Sequence, residues 1–282
     1  WKNKLTLGVD FKGGTSITIN VDKPLEASSI DEDLKELNLT KQSMDQSGNT
    51  IYIKVNEVLE DSKVTETEAY FGEKYNAQTD IGVVSNVVQK ELIKNALLSL
   101  GLSILGIILY VSVRFRFNYA FTAVVALVHD VLFIVILFSL CKLEVESMFI
   151  AAILSIVGYS INDTIVTFDR IRENRKAAGK IKNKDQLKDI INCSIRETLG
   201  RSIVTTLTTL IPVVCLILFG SKEILNFNLA LLFGLVSGVY SSIFIASQLL
   251  YDLEKKNIKK APKKKWYDDG PQELKIKGVN TD

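Results

Sequence analysis

Residues 157–174 read VGYSINDTIVTFDRIREN and close an apolar segment that begins near Ser147. A helix of about 20 apolar residues is long enough to cross a bilayer, and this segment meets that length. Asp163 lies inside it, about 10 Å along the helix axis from Arg170. A carboxylate at such a depth usually faces the interior of a helical bundle and marks an ion or proton pathway. A purely structural hydrogen bond between helices is the alternative interpretation.

Polar residues surround Asp163 in the sequence and recur further along the chain. Asn162 is its neighbour, and an amide can hydrogen-bond a carboxyl group in either protonation state. Arg201 precedes Thr205 and Thr209 at spacings of four, which places the three on one helical face. A hydroxyl-lined face below an arginine can hold water or relay protons. The alternative is a positively charged anchor at the membrane surface, with threonines that pack against a neighbouring helix.

The chain has one histidine, His129, which is followed directly by Asp130 inside another apolar segment. Adjacent residues of a helix point about 100° apart, so the two side chains cannot approach one partner in line. We expect Asp130 to face the bundle and His129 to face another helix. Histidine titrates near neutral pH, so a secondary role in proton handling is one interpretation. A structural hydrogen-bonding pair is the other.

The composition combines 47% hydrophobic with 23% charged residues, which is typical of a membrane bundle with polar domains attached. Five apolar segments after Lys94 approach the length of a spanning helix. They are Asn95–Val113, Tyr119–Leu140, Ser147–Phe168, Ser202–Phe219 and Asn226–Leu250. We therefore predict an α-helical membrane bundle of five spans over residues 91–253.

Residues 1–90 carry shorter patterns that predict a small α+β domain. Alternating apolar residues predict strands at Thr15–Val21 and Ile51–Val55, and helical periodicity predicts helices at Leu25–Leu37 and Val64–Tyr75. This domain contains no histidine or cysteine and shows no catalytic constellation.

Basic residues predict the orientation of the bundle. They concentrate after the first span at Arg114 and Arg116, between the third and fourth spans, and after the fifth span. These segments fall on one side, which the positive-inside rule assigns to the cytoplasm. The α+β domain is then extracytoplasmic, and its translocation predicts a further span upstream of Trp1.

Two basic segments on that side have their own interpretations. Residues 185–199 carry an apolar stripe and predict an amphipathic helix on the cytoplasmic membrane surface, which leads straight into the fourth span. The alternative interpretation of this helix is a simple connector. Residues 254–282 predict a basic, disordered cytoplasmic tail. Beside a membrane span, such a tail favours anionic lipid of the bilayer over nucleic acid as its partner.

Several functions are excluded by missing patterns. The cysteines Cys141, Cys193 and Cys215 are scattered without a CxxC pair, so we expect neither a disulfide nor a metal site and interpret them as packing residues. No phosphate-binding loop, nucleophile elbow or dinucleotide fingerprint is present. The sequence therefore predicts a protein that is not an enzyme and has no cofactor.

Three segments together resemble the SecF family, the smaller half of bacterial SecDF complexes in the resistance-nodulation-division (RND) superfamily. They are GVDFKGGT at 8–15, ALVHDV at 126–131 and the segment 158–174. The resemblance implies six spans in the bacterial cytoplasmic membrane, with an extracytoplasmic α+β domain between the first two. It also implies assistance to protein export, driven by the proton-motive force. The implied partners are SecD, separate or fused, the SecYEG translocon and the exported polypeptide.

The resemblance also assigns roles to individual residues. Asp163 matches the functional transmembrane aspartate of the family, and Arg201 matches the functional arginine at the start of the next span. The resulting prediction is a proton pathway with His129 and Asp130 as secondary members. Its main members are Asp163, Arg201, Asn162, Thr205 and Thr209. The rival hypotheses are an RND-type exporter of lipids or small molecules and a non-transporting membrane scaffold.

Overall fold

A computed structural model of the protein describes residues 5–22, 27–181 and 183–259. An α+β region comes first, and a helical bundle follows. The α+β region consists of β1 (Thr6–Leu7), α1 (Val9–Lys12), β2 (Gly14–Asn20), α2 (Ala27–Glu36), β3 (Lys41–Ser47), β4 (Thr50–Val55), α3 (Asp61–Tyr75) and β5 (Gln78–Val84). The bundle consists of α4 (Asn86–Arg114), α5 (Phe117–Cys141), β6 (Glu144–Val145), α6 (Ser147–Ala178), α7 (Lys184–Phe219), a 3₁₀ turn (Lys222–Ile224), α8 (Leu225–Tyr240), a π-helical segment (Ser241–Ala246) and α9 (Ser247–Lys259).

The α+β region is built on an antiparallel sheet with the strand order β3-β4-β2-β5. Alternate residues of β2 and β4, among them Ile17 and Ile53, are buried beneath α2 and α3. The predicted α+β character is therefore confirmed. The predicted helix Leu25–Leu37 is observed over Ala27–Glu36, and its first residues lie outside the described ranges.

Gly14 explains why two glycines precede β2. Its φ angle of 143° lies outside the range of ordinary side chains, and a Cβ at this position would lie 2.5 Å from the carbonyl oxygen of Val55. Only glycine allows β2 to begin this close to β4.

Asp33 is a buried charge that ties α2 to α3. Tyr75 donates to it at 2.5 Å and Tyr70 at 3.1 Å, and Lys74 also contacts it. Burial raises the pKa of Asp33, but hydrogen bonds from Lys74, Tyr75 and Tyr70 outweigh burial and hold that pKa below its ordinary value. This carboxylate therefore stabilises the fold mainly in its ionised form.

We expect Asp33→Asn to destabilise the α+β region by about 2 kcal/mol, because three donors lose a charged acceptor. Since the folded pKa is lowered, the stabilisation is present above the unfolded pKa of about 3.9 and is lost as pH falls through the folded value. Hydrogen exchange of the β2 and β4 amides in the full chain measures the effect. Asp31→Asn is the control, because Asp31 pairs with Lys41 in an exposed position. Equal protection of both variants at pH 7 would contradict the prediction.

Within the described residues, five helices are long and apolar enough to cross a membrane, as predicted. The fifth runs over Lys222–Lys256 and includes the π-helical segment. Its α8 part packs closely on α6, while α4 lies at the periphery of the bundle. Several helices extend beyond the apolar segments, since α4 begins at Asn86 and α6 continues to Ala178.

The helix predicted at residues 185–199 is present, but it packs on other helices of the protein and is continuous with the fourth span. These residues form the first part of the continuous 36-residue helix α7. Their apolar stripe packs on protein, since Leu187 and Ile191 are buried in a core against which the partly buried Tyr251 and Ile258 of α9 also pack. The stripe leads directly into the buried face of the fourth span, so nothing interrupts the helix between them.

The cysteines do not pack in the core, contrary to expectation. Cys141, Cys193 and Cys215 are all exposed on helix surfaces. Cys193 illustrates the reason, because the next residue, Ser194, takes the buried position on α7. One residue along a helix turns the side chain by about 100°.

The α+β region is attached to the bundle at the connection between α5 and α6. Strand β1 pairs in parallel with β6, and Lys54 binds both Glu144 (2.7 Å) and Glu146. Asp10 accepts a hydrogen bond of 2.8 Å from the backbone N–H of Ser147, the first residue of α6. The helix that carries Asp163 is therefore held directly by the α+β region at its start.

Candidate functional site

Asp163 lies in the interface between α6 and α7 and is only 7% exposed. Ser202 of α7 donates its hydroxyl to Oδ1 of Asp163 at 2.5 Å. The other carboxyl oxygen, Oδ2, is buried and has no hydrogen-bond donor among the described residues. A buried carboxylate normally has its acceptors satisfied, so Oδ2 is positioned to hold a proton or to accept one further donor.

Arg201 is next to Ser202 and brings a positive charge to this interface. Its charge acts through space on Asp163, although Arg201 itself is exposed and forms no ion pair with the described residues. It lines an open cleft of about 370 Å³ together with Glu197 and Asp169. Arg201 therefore lines this polar cleft and lies within electrostatic range of Asp163.

The remaining predicted pathway residues are only partly brought together. Asn162 and Thr205 lie on exposed helix faces, and the Thr205 hydroxyl donates to the backbone carbonyl of Arg201 at 2.9 Å. Thr209 reaches the α6–α7 interface, where its hydroxyl lies 3.3 Å from the Tyr159 hydroxyl. Asn162 and Thr205 therefore remain predictions without a contact to Asp163.

Sequence reasoning missed the hydroxyl group that binds Asp163, Ser202, which belongs to a buried polar face of α7. The buried face of α7 carries Ser194, Thr198, Ser202 and Thr206 at regular spacings of four. Tyr159 donates to Thr206 at 3.4 Å and extends the polar contacts by one turn. The same spacing of four is visible in the sequence. The predicted stripe began at Arg201, whereas the buried stripe of α7 includes the next residue, Ser202.

Asp130 forms a second buried site, and it faces the bundle as expected. Three serine hydroxyls donate to it: Ser160 of α6 at 2.7 Å, Ser237 of α8 at 2.6 Å and Ser241 at 2.7 Å. His129 Nδ1 lies 3.3 Å from its Oδ1. Both carboxyl oxygens of Asp130 therefore have hydrogen-bond donors, in contrast to the single donor at Asp163.

His129 lies at the edge of this site. Its ring stacks on Phe133 with 6.1 Å between centroids and contacts Tyr240 of α8 at 6.2 Å. The histidine therefore faces another helix, as expected. The three serines around Asp130 were not predicted, because two of them come from a helix more than 100 residues away in the chain.

The two carboxylates are linked through α6 and the π-helical segment Ser241–Ala246. Thr164, next to Asp163, shares a 2.7 Å hydrogen bond with Ser242 of that segment. Ser241 of the same segment binds Asp130. Single π-helical turns occur frequently at functional sites because they reposition side chains within an otherwise regular helix.

Gly234 sets the close approach of α8 to α6. A Cβ at this position would lie 2.2 Å from Cδ1 of Ile156. Gly238 lies against Ser160 one turn later. This row of small residues therefore lets the backbone of α8 pack directly on α6.

Two family models match the chain. The model described as "Protein export membrane protein SecD/SecF, C-terminal" matches residues 64–256, and the model described as "SecD/SecF GG Motif" matches residues 1–25. The second match includes Gly13 and Gly14, which both have positive φ angles.

Curated relatives and a solved structure agree with these matches. The chain is 42% identical to the protein translocase subunit SecDF of Bacillus subtilis over 91% of its own length, and it spans 35% of that relative. It is 40% identical to the protein translocase subunit SecF of Sebaldella termitidis, covering 91% of this chain and 84% of that one.

The solved structure is that of SecDF from Thermus thermophilus, a translocon-associated membrane protein. It superimposes with a TM-score of 0.76 and 32% identity, covering 89% of this chain and 34% of that one. The chain therefore corresponds to about a third of the SecDF proteins and to most of the SecF protein. On these grounds, the chain belongs to the SecD/SecF family of protein export membrane proteins.

Proposed function

We propose that the protein is a subunit that assists export of polypeptides through the Sec pathway, and that Asp163 couples this work to the proton-motive force. Membership of the SecD/SecF family supports the role in export. The observation that carries the proton coupling is Oδ2 of Asp163, a buried carboxyl oxygen with no donor among the described residues. A buried carboxyl group that is not fully satisfied in its ionised form is suited to gain and lose a proton.

Protonation of Asp163 changes the contact between α6 and α7. In the ionised form, the carboxylate accepts the Ser202 hydrogen bond and is attracted by the charge of Arg201. Protonation removes that attraction, so α7 is free to shift relative to α6. One proton that crosses a potential of 100 mV supplies about 2.3 kcal/mol, which matches a local rearrangement of this kind.

The α+β region is the part that would transmit this shift. Asp10 binds the first residue of α6, and Lys54 binds the connection that precedes it. A displacement of α6 therefore acts on the sheet through short, charged contacts. In our proposal the α+β region is extracytoplasmic and moves against the polypeptide as it emerges from the SecYEG channel, while SecD supplies the other half of the membrane complex.

Export in living cells tests this function. Bacteria depleted of their own SecF would produce the full-length protein with its SecD partner, and processing of a secreted reporter would be followed with and without a protonophore. We expect restored export that falls when the protonophore collapses the gradient. Restored resistance to small molecules or lipids without any gain in export would support the exporter alternative. Export that is restored but insensitive to the protonophore would support a scaffold.

The contact between Ser202 and Asp163 gives a more local prediction. We expect Ser202→Ala to lower gradient-dependent export several-fold, because the only donor to the carboxylate among the described residues is lost, at a cost of about 1.5–3 kcal/mol. Ser202→Thr retains the hydroxyl and should export like the wild type. The matched control is Thr208→Ala, which removes an exposed hydroxyl from the same helix. A similar export defect in both alanine variants would contradict a specific role for Ser202.

A further inference from the structure

A basic cleft lies where α4 turns into α5, beside the last turns of α6. Its volume is about 500 Å³. The lining includes five cationic side chains and no carboxylate. The cations are Arg114, Arg116, Arg172, Arg175 and Lys176. This cleft is separate from Asp163, so an inference about it does not depend on the proposed proton coupling.

Only two of the five cations have their charge compensated by ion pairs within residues 5–22, 27–181 and 183–259. Arg114 binds Asp169 at 2.9 Å, and Arg175 binds Glu254 at 2.6 Å. The other three, Arg116, Arg172 and Lys176, have no carboxylate partner in that part of the chain. The cleft therefore keeps an excess of about three positive charges, which favours an anionic ligand.

The cleft is also preorganised. Phe115 and Tyr119 are buried, and their rings stack with 5.6 Å between centroids. The Arg172 guanidinium lies 5.8 Å from the centre of the Phe115 ring, and its Nη1 donates to the carbonyl of Arg114 at 3.1 Å. Held in this way, the planar guanidinium retains further N–H groups for a ligand. The N–H groups of a guanidinium form a planar fork that binds phosphate oxygens with two parallel hydrogen bonds.

The position of the cleft indicates what carries the phosphate. The cleft lies at the ends of spanning helices, and apolar surface continues from it, since Val113 is 90% and Phe117 is 73% exposed. A ligand that places an anion among the arginines would therefore lay any attached hydrocarbon along these side chains. We propose that the cleft binds the phosphate headgroup of an anionic phospholipid from the leaflet at this end of the bundle. Basic pockets between spanning helices commonly bind such headgroups.

Lipid titration of the purified full chain in detergent tests the site, with bound phosphatidylglycerol counted by native mass spectrometry. Detergent removes the surface potential of a membrane, so only direct binding is measured. The site variant is Arg116→Gln/Lys176→Gln, and both side chains are exposed, so its folding should be unaffected. The matched control is Lys188→Gln/Arg196→Gln, which removes the same charge from exposed positions of α7. All variants keep the basic residues 260–282.

We expect the site variant to bind phosphatidylglycerol about tenfold or more weakly, as the loss of charged hydrogen bonds predicts, and the control to change less than about twofold. Arg172→Lys keeps the charge but loses the fork, and it should also weaken binding several-fold. Phosphatidylcholine should bind weakly to every variant.

Two results would overturn the proposal. Equal weakening in the site variant and the control would mean that overall charge attracts the lipid without a defined site. Complete displacement of the lipid by millimolar inorganic phosphate would mean that the cleft recognises a soluble anion.

Discussion

Asp163→Asn is expected to abolish the gradient-dependent part of export while protein levels stay normal. Asparagine has nearly the same shape and can still accept the hydrogen bond from Ser202, but it cannot take up a proton. A group that does not exchange protons cannot couple the proton gradient to movement, however well it packs. Export of a secreted reporter, compared with and without a protonophore, measures the effect.

The control for this variant lies on the same helix. Asp169→Asn removes an exposed carboxylate that pairs with Arg114, and a surface pair of this kind contributes less than about 1 kcal/mol. We therefore expect its export to remain close to wild type. Full, protonophore-sensitive export by Asp163→Asn would reduce Asp163 to a structural hydrogen-bond acceptor.

Gly234→Leu is expected to prevent assembly of the bundle. A Cβ alone would lie within 2.7 Å of three atoms of the Ile156 side chain, and the leucine adds a further branch in the same space. Overpacking usually costs about 1–3 kcal/mol and more where the backbone must move. The contact between α6 and α8 also positions Ser160 and Ser237 around Asp130, so the buried carboxylate would lose donors as well.

Thermal unfolding of the detergent-solubilised chain, together with its level in membranes, measures this effect. Gly158→Ala is the matched control, because a Cβ at that position of α6 meets no atom within 4 Å. The double variant Gly234→Ala/Ile156→Ala should be more stable than Gly234→Ala alone, because the smaller side chain leaves room for the added methyl group. A Gly234→Leu protein as stable as the wild type would contradict the close packing of α8 on α6.

Much of the fold could be predicted from the sequence because it depends on length and local pattern. A run of apolar residues long enough to cross a bilayer predicts a span wherever it occurs, and alternating residues such as Ile51 and Ile53 predict a half-buried strand. The apolar stripe of residues 185–199 predicts a helix, but the stripe alone does not distinguish a surface facing lipid from one that packs on other helices. In the structure, hydroxyl groups on one face continue the buried stripe across that region.

The site was harder to predict because it depends on contacts between distant helices. The depth of Asp163 in an apolar segment indicates a functional residue from local sequence alone, without knowledge of which helix it contacts. Its donor, Ser202, is displaced by one residue from the predicted stripe, and only the rotation of α7 against α6 distinguishes the two faces. The donors of Asp130 depend on how α8 packs, which no local pattern specifies.

Proton exchange at Asp163 is measured most directly by infrared difference spectroscopy of the full chain with its SecD partner in lipid bilayers while the pH is stepped. A titrating Asp163 predicts a carboxylic-acid C=O band that appears and disappears with pH. This band should be missing from Asp163→Asn and retained in Asp169→Asn. If Asp163→Asn keeps the same titrating band, the proton is bound elsewhere and Asp163 is not the coupling group.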